Sequence, residues 1–174
     1  NAQELANTAW AFAKAGQPDA PLFMALARMA ERRVVEFNAQ ALANTAWVFA
    51  KAGHLDPPLF LALGKVASAC AEGLNAQELV NTAWAFGIAG LLANELFAAL
   101  QHRARALLMR PENFSAQDIV RLAWAFATAG AEAPGLFAKV AAEAEPRVGG
   151  FQPQQLADTV WAYATAGVAA DALY

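Results

Sequence analysis

A chain of 174 residues is the size of one domain or of one unbroken array of small units. Its composition, 58% hydrophobic and 16% charged, excludes intrinsic disorder, and its single cysteine, Cys70, excludes a disulfide scaffold. A net charge of -3 and a sequence pI of 5.3 count against a polycation that grips phosphates by charge alone.

The elements come in pairs, and the pairs repeat. The first helix opens at the capping residue Asn1, carries Trp10 and stops at Gly16. A second helix begins near Asp19 and Pro21 and places Leu22, Phe23, Leu26 and Ala30 on one face. The next pair runs from Asn38 through Trp47 to Gly53, then from Asp56 with Leu59, Phe60, Leu63 and Ala67. A third pair has Asn75, Trp84 and Gly90, then Asn94 and Phe97, with a three-residue insertion expected around Arg110, Pro111 and Glu112. The fourth has Ser115, Trp124 and Gly130, then Glu132, Pro134 and Phe137. The fifth has Pro153, Trp161 and Gly167, and reaches the aromatic position of its second helix at Tyr174.

Successive tryptophans are 37, 37, 40 and 37 residues apart. A glutamine (Gln3, Gln40, Gln77, Gln117, Gln154) stands seven residues before each, and the glycine six residues after. Such a comb is the signature of a repeat array. No stretch alternates with period two, so no strands are expected. A lone helix pair cannot bury its apolar face, so the pairs must stack. The expected fold is therefore all-α, an α-solenoid of about four and a half helix-turn-helix repeats of 37–40 residues. Its units are approximately 1–37, 38–74, 75–114, 115–151 and an incomplete 152–174, in a single array 1–174 read as a fragment of a longer protein. Leu79 to Asn94, the longest uncharged apolar stretch, is too short and too interrupted to span a membrane.

Within the first helix, Leu5, Ala9 and Phe12 make one apolar ridge and Ala6, Trp10 and Ala13 its neighbour. On that reading Trp10, Trp47, Trp84, Trp124 and Trp161 are structural core. The opposite strip, Glu4, Asn7, Thr8, Ala11 and Lys14, is polar and is the expected binding surface. Columns that vary between units are the candidates for recognising a ligand. One is Glu4, Ala41, Glu78, Asp118 and Gln155; a second is Thr8, Thr45, Thr82, Leu122 and Thr159; a third is Lys14, Lys51, Ile88, Thr128 and Thr165. Arg121, where the first three units have asparagine, joins them. Asn7, Asn44 and Asn81 suit either an inter-repeat hydrogen-bond ladder or a ligand. A second-helix basic column, Arg28, Lys65 and His102, reads as a solvated face. Catalytic, cofactor and metal motifs are missing from the sequence: His54 and His102 have no ligand-spaced companions, and Cys70 reads as a small hydrophobe. No enzyme activity and no cofactor are expected.

The run Phe37-Asn-Ala-Gln-Ala-Leu-Ala-Asn-Thr-Ala-Trp47-Val-Phe-Ala-Lys-Ala-Gly53 resembles the core of the octotricopeptide repeat, and Gln154, Leu156, Ala157, Trp161 and Gly167 resemble it again. Arg121 and Asp158 depart from the family's asparagine, and alanine replaces its proline before the glutamine in four units. The resemblance implies an RNA-binding solenoid of chloroplasts or mitochondria. Its partner would be single-stranded RNA, read by side chains at repeated helical positions during RNA processing, stabilisation or translation. Charge restrains that reading. The five first helices carry Lys14, Lys51 and Arg121 against Glu4, Glu78, Asp118 and Asp158, a net of -1, whereas nucleic-acid affinity leans on neutralised phosphates. The alternative is a protein-docking scaffold within a larger organellar assembly, since solenoids use the same long surface for protein partners.

Overall fold

The computed structural model describes residues 2–15, 19–91 and 93–168. Asn1, Gly16 and Tyr174, three of the sequence landmarks, lie outside them. Helices α1 (Ala2–Lys14), α3 (Ala39–Lys51), α5 (Ala76–Ala89), α7 (Ala116–Thr128) and α9 (Pro153–Ala166) are the first helices of the units. Helices α2 (Ala20–Arg33), α4 (Pro57–Ala69), α6 (Asn94–Leu107) and α8 (Pro134–Ala144) are the second. Each second helix leads into a short 3₁₀ turn, at Val34–Glu36, Ala71–Gly73, Pro111–Asn113 and Glu145–Gly150. The protein is an all-α solenoid, with no strand among the described residues.

Local chemistry sets the helix ends. Asn38 accepts from the backbone N–H of Ala41 at 2.8 Å. Asn75 and Glu78 close a capping box, as do Ser115 and Asp118, satisfying backbone donors at both ends of each exchange. Asp19 and Asp56 cap α2 and α4 in the same way. At the other end, Gly53, Gly90, Gly130 and Gly167 take φ values of 73°, 63°, 67° and 64°. The following residue then reaches back to the carbonyl five residues earlier, as His54 N does to Phe49 O at 3.0 Å and Ala131 N to Phe126 O at 3.0 Å. The three-residue insertion lies at Leu108–Arg110, between α6 and its 3₁₀ turn.

First helices pack on first helices and second on second, so the chain builds two layers. Contact within the first layer is much the closer, because its flanks are alanine: Ala43, Ala46, Ala83 and Ala123 are buried. A larger aromatic locks each unit to the one before. Phe49, Phe86, Phe126 and Tyr163 meet Phe23, Phe60, Phe97 and Phe137 edge-on, with centroids 5.5, 5.3, 5.1 and 5.2 Å apart. Such pairs contribute about 0.5–1.5 kcal/mol beyond the area they bury. Backbone carbonyls add directional links between units: Arg103 Nε donates to Leu74 O at 2.8 Å, Arg147 Nη1 to Phe114 O at 2.9 Å and the Tyr163 hydroxyl to Phe137 O at 2.8 Å. Burial pushes the Tyr163 phenol well above its ordinary pKa, so it remains a donor.

The aromatics two residues after Trp47, Trp84, Trp124 and Trp161, namely Phe49, Phe86, Phe126 and Tyr163, are buried in the core. The tryptophans, expected as core, lie at its margin, with Trp47, Trp84 and Trp124 packed against it. Trp47, Trp84 and Trp124 are half-buried, and Trp10 and Trp161 are each 45% exposed. At about 100° per residue, a side chain two positions on lies about 200° round the helix, so indole and phenyl must point opposite ways. The buried direction belongs to the residue that meets the second layer.

Candidate nucleic-acid interface

A first helix in mid-array touches a neighbour on each flank and the second layer beneath. One narrow stripe stays open. Counted from the tryptophan, positions -7, -3, 0 and +4 fall within about 60° of one another. They are Gln40, Asn44, Trp47 and Lys51 in the second unit, and Gln77, Asn81, Trp84 and Ile88 in the third. The fourth has Gln117, Arg121, Trp124 and Thr128, and the fifth Gln154, Asp158, Trp161 and Thr165. All of these side chains are exposed or half-buried.

Adjacent indoles run along the stripe. The ring centroids of Trp47 and Trp84 are 6.5 Å apart and tilted 39°, and those of Trp124 and Trp161 are 6.1 Å apart and nearly stacked. The Lys51 ammonium sits 4.4 Å from the centre of the Trp47 ring, a cation–π contact. Side chains from four units line one groove of about 460 Å³: Asn7 and Trp10, Asn44 and Trp47, Gln77 and Asn81, and Arg121. A groove shared by α1 and α7 requires the first-helix layer to be the concave one, in keeping with its closer packing.

The sequence-derived columns divide on this geometry. Lys51 and Arg121 lie on the stripe. Lys14 shares their register, but its side chain is outside the description. The threonine column is corrected: Thr45, Thr82 and Thr159 are buried, as is Leu122, because position -2 falls on the flank facing the neighbouring helix. Thr82 Oγ1 bonds back to Glu78 O at 2.7 Å, and Thr159 Oγ1 to Gln155 O at 2.7 Å, while Thr45 Oγ1 is buried with no partner. Thr8 is exposed on α1 and bonds back to Glu4 O. The Glu4 column is corrected as well. Ala41 is buried, and Glu78 and Asp118 spend their carboxylates on the capping boxes of α5 and α7. Gln155 Oε1 accepts from Gln152 N at 2.8 Å in the same role, and Glu4 is exposed on α1.

That sorting changes the charge balance. Glu78 and Asp118 are off the stripe, which carries Lys51 and Arg121 against Asp158. Asp158 itself accepts from Gln154 Nε2 at 2.8 Å. The asparagine ladder does not form between Asn44 and Asn81; Asn81 Oδ1 accepts instead from Gln77 Nε2 of its own helix at 3.0 Å. The second-helix basic groups lie on the other layer, where Arg33 pairs with Glu36 at 2.7 Å and His102 Nδ1 contacts Glu72 at 2.8 Å. Cys70 closes the end of α4, half-buried, and burial pushes its thiol pKa up.

Over residues 1–174 the chain matches the family model described as RESC6, RNA-editing substrate-binding complex 6 protein. The chain belongs to the RESC6 family. No curated protein matches it. The octotricopeptide likeness thus rests on the repeat motif alone, whereas RESC6 membership spans the chain. No described helix is long and apolar enough to cross a membrane.

Proposed function

We propose that this RESC6-family chain binds single-stranded RNA along the concave stripe of its first helices and so holds RNA within an RNA-editing substrate-binding complex. The observation that carries this reading is the groove of half-exposed indoles walled by amides and bordered by two cations. Every base has a π-face, so indoles bind single strands with little sequence demand, and amides and guanidinium groups add preference at base edges. Base paired duplex offers no free faces. The role is binding and not catalysis. Of the two organelles the repeat motif implies, the family points to the mitochondrion. The octotricopeptide manner of recognition, one unit per nucleotide, is the finer form of the same proposal.

A protein partner has its own support on the other layer. Met24, Met29, Leu61 and Met109 of the second helices and their exits are half or more exposed, a set of flexible apolar groups suited to a protein surface. The two readings use opposite faces and are compatible.

The test is a tryptophan-fluorescence titration with single-stranded and duplex RNA of one sequence. Quenching by the single strand, and a loss of about 5- to 160-fold on Trp84→Ala, agree with about 1–3 kcal/mol per stacked base. Equal indifference to both RNAs moves the function to the protein-docking face.

A further inference from the structure

The column three residues before each tryptophan reads Asn7, Asn44, Asn81, Arg121 and Asp158. Its fourth member is chemically out of place. Arg121 is half-buried and lines the groove beside Trp47, Asn44, Gln77 and Asn81. Among the described residues it has no salt bridge and no side-chain hydrogen bond. The acid nearest in its own helix, Asp118, is engaged elsewhere: its Oδ2 accepts from Ser115 N at 3.0 Å and from Ser115 Oγ at 2.6 Å. A guanidinium drawn partly out of water, with five donors in a rigid plane and no acceptor, is costly unless an acceptor arrives from outside.

The surroundings narrow what that acceptor is. The groove is lined by indoles, amides and small aliphatic side chains, with Arg121 the one charged group among them. That suits a flat base better than a tetrahedral phosphate. Lys51, a compact charge at the groove's border, is better placed for the phosphate backbone. Among bases, guanine carries two adjacent acceptors, O6 and N7, that match an arginine fork. Asparagine offers one donor and one acceptor side by side, the complement of adenine. The Gln77 bond to Asn81 Oδ1 holds that amide in place and shows how the column is oriented from its own helix.

We propose that Arg121 is a specificity-determining residue that selects guanine at the fourth unit's place on a bound single strand. The proposal rests on the RNA reading above. In it, the fourth unit departs from the asparagine units before it because it reads a different base.

The experiment uses the full chain and fluorescently labelled oligouridines of about ten nucleotides, each carrying one guanosine or one adenosine at a scanned position. Wild type should bind the best guanosine oligomer about tenfold tighter than its adenosine counterpart, within the discrimination of one bidentate pair. In Arg121→Asn that preference should vanish or invert, with a loss of affinity for the guanosine oligomer larger than any loss for plain oligouridine. Arg121→Lys, which keeps the charge and loses the fork, should also lose the guanosine preference, and its melting temperature serves as the control for folding. Uniform weakening of every oligomer by Arg121→Asn, with a shallower salt dependence, would make Arg121 a phosphate contact and overturn the proposal. No change in either variant, while Trp84→Ala weakens all oligomers, also overturns it and leaves the RNA reading standing. Failure of wild type to bind any oligomer removes both.

Discussion

Trp84 and Phe86 are two residues apart and do opposite work. Phe86 is buried against Phe60, while Trp84 is half-buried on the open stripe. Phe86→Ala should therefore cost about 3–5 kcal/mol, the range for removing a buried large aromatic. Trp84→Ala should cost about 1–3 kcal/mol, since only part of its area leaves water on folding. Urea denaturation of both variants checks the order, and equal losses would mean that the indole is core after all. Thr45 makes a second residue-scale case. Its hydroxyl is buried and unpaired, whereas Thr82 returns its own to Glu78 O. Thr45→Val keeps the shape and removes an unsatisfied group, so it should stabilise the chain by up to about 1 kcal/mol. Thr82→Val should gain nothing. A higher melting temperature for the first variant alone is the expected result.

At the scale of elements, the glycine stops and tryptophan comb were enough to place α3, α5, α7 and α9, and the asparagine and serine caps the starts of the first three, since each signal acts through its own few residues. Burial around a first helix was less legible. A two-sided amphipathic reading put Thr82 and Glu78 on the open face, because sequence alone does not reveal that neighbours press on both flanks. The indole misled for a related reason: a large apolar ring is usual in a core, yet here the alanine flanks draw the helices together and leave the ring at the surface. The 3₁₀ turns escaped because Val-Val-Glu, Ala-Glu-Gly and Pro-Glu-Asn share no pattern. Close approach itself has a sequence trace at Gly87, where neighbouring units have alanine (Ala50 and Ala127). A Cβ there would lie 3.2 Å from Ala125 O and 3.3 Å from Ala125 Cα, both backbone atoms of α7. Gly87→Ala gains about 1 kcal/mol of helix propensity but incurs an overpacking cost of about 1–3 kcal/mol. A net loss of about 1 kcal/mol is expected. Stabilisation in a denaturant titration would show that α5 and α7 can part without cost.

For the whole molecule, the net charge of -3 looked adverse to RNA until the fold assigned each charge a place. Glu78 and Asp118 are tied into helix starts, and Arg33 and His102 sit on the second-helix layer with acidic neighbours. What remains along the groove is a short supply of cations beside a long supply of aromatic and amide groups. Binding led by stacking then carries a distinct salt signature. Lys51, the cation at the groove's border, gives about one phosphate contact, and single strands lose affinity with a log–log slope of about -0.7 per contact. The expected slope is about -0.7, far shallower than for a basic RNA-binding groove. Lys51→Ala should flatten it by about 0.7, whereas Trp84→Ala should lower affinity at every salt concentration and leave the slope unchanged. Titrations across a tenfold range of salt read both quantities from the same data. A steep slope in wild type would mean that phosphates are gripped elsewhere, by the basic side chains of the second-helix layer, and would move the RNA to the convex face.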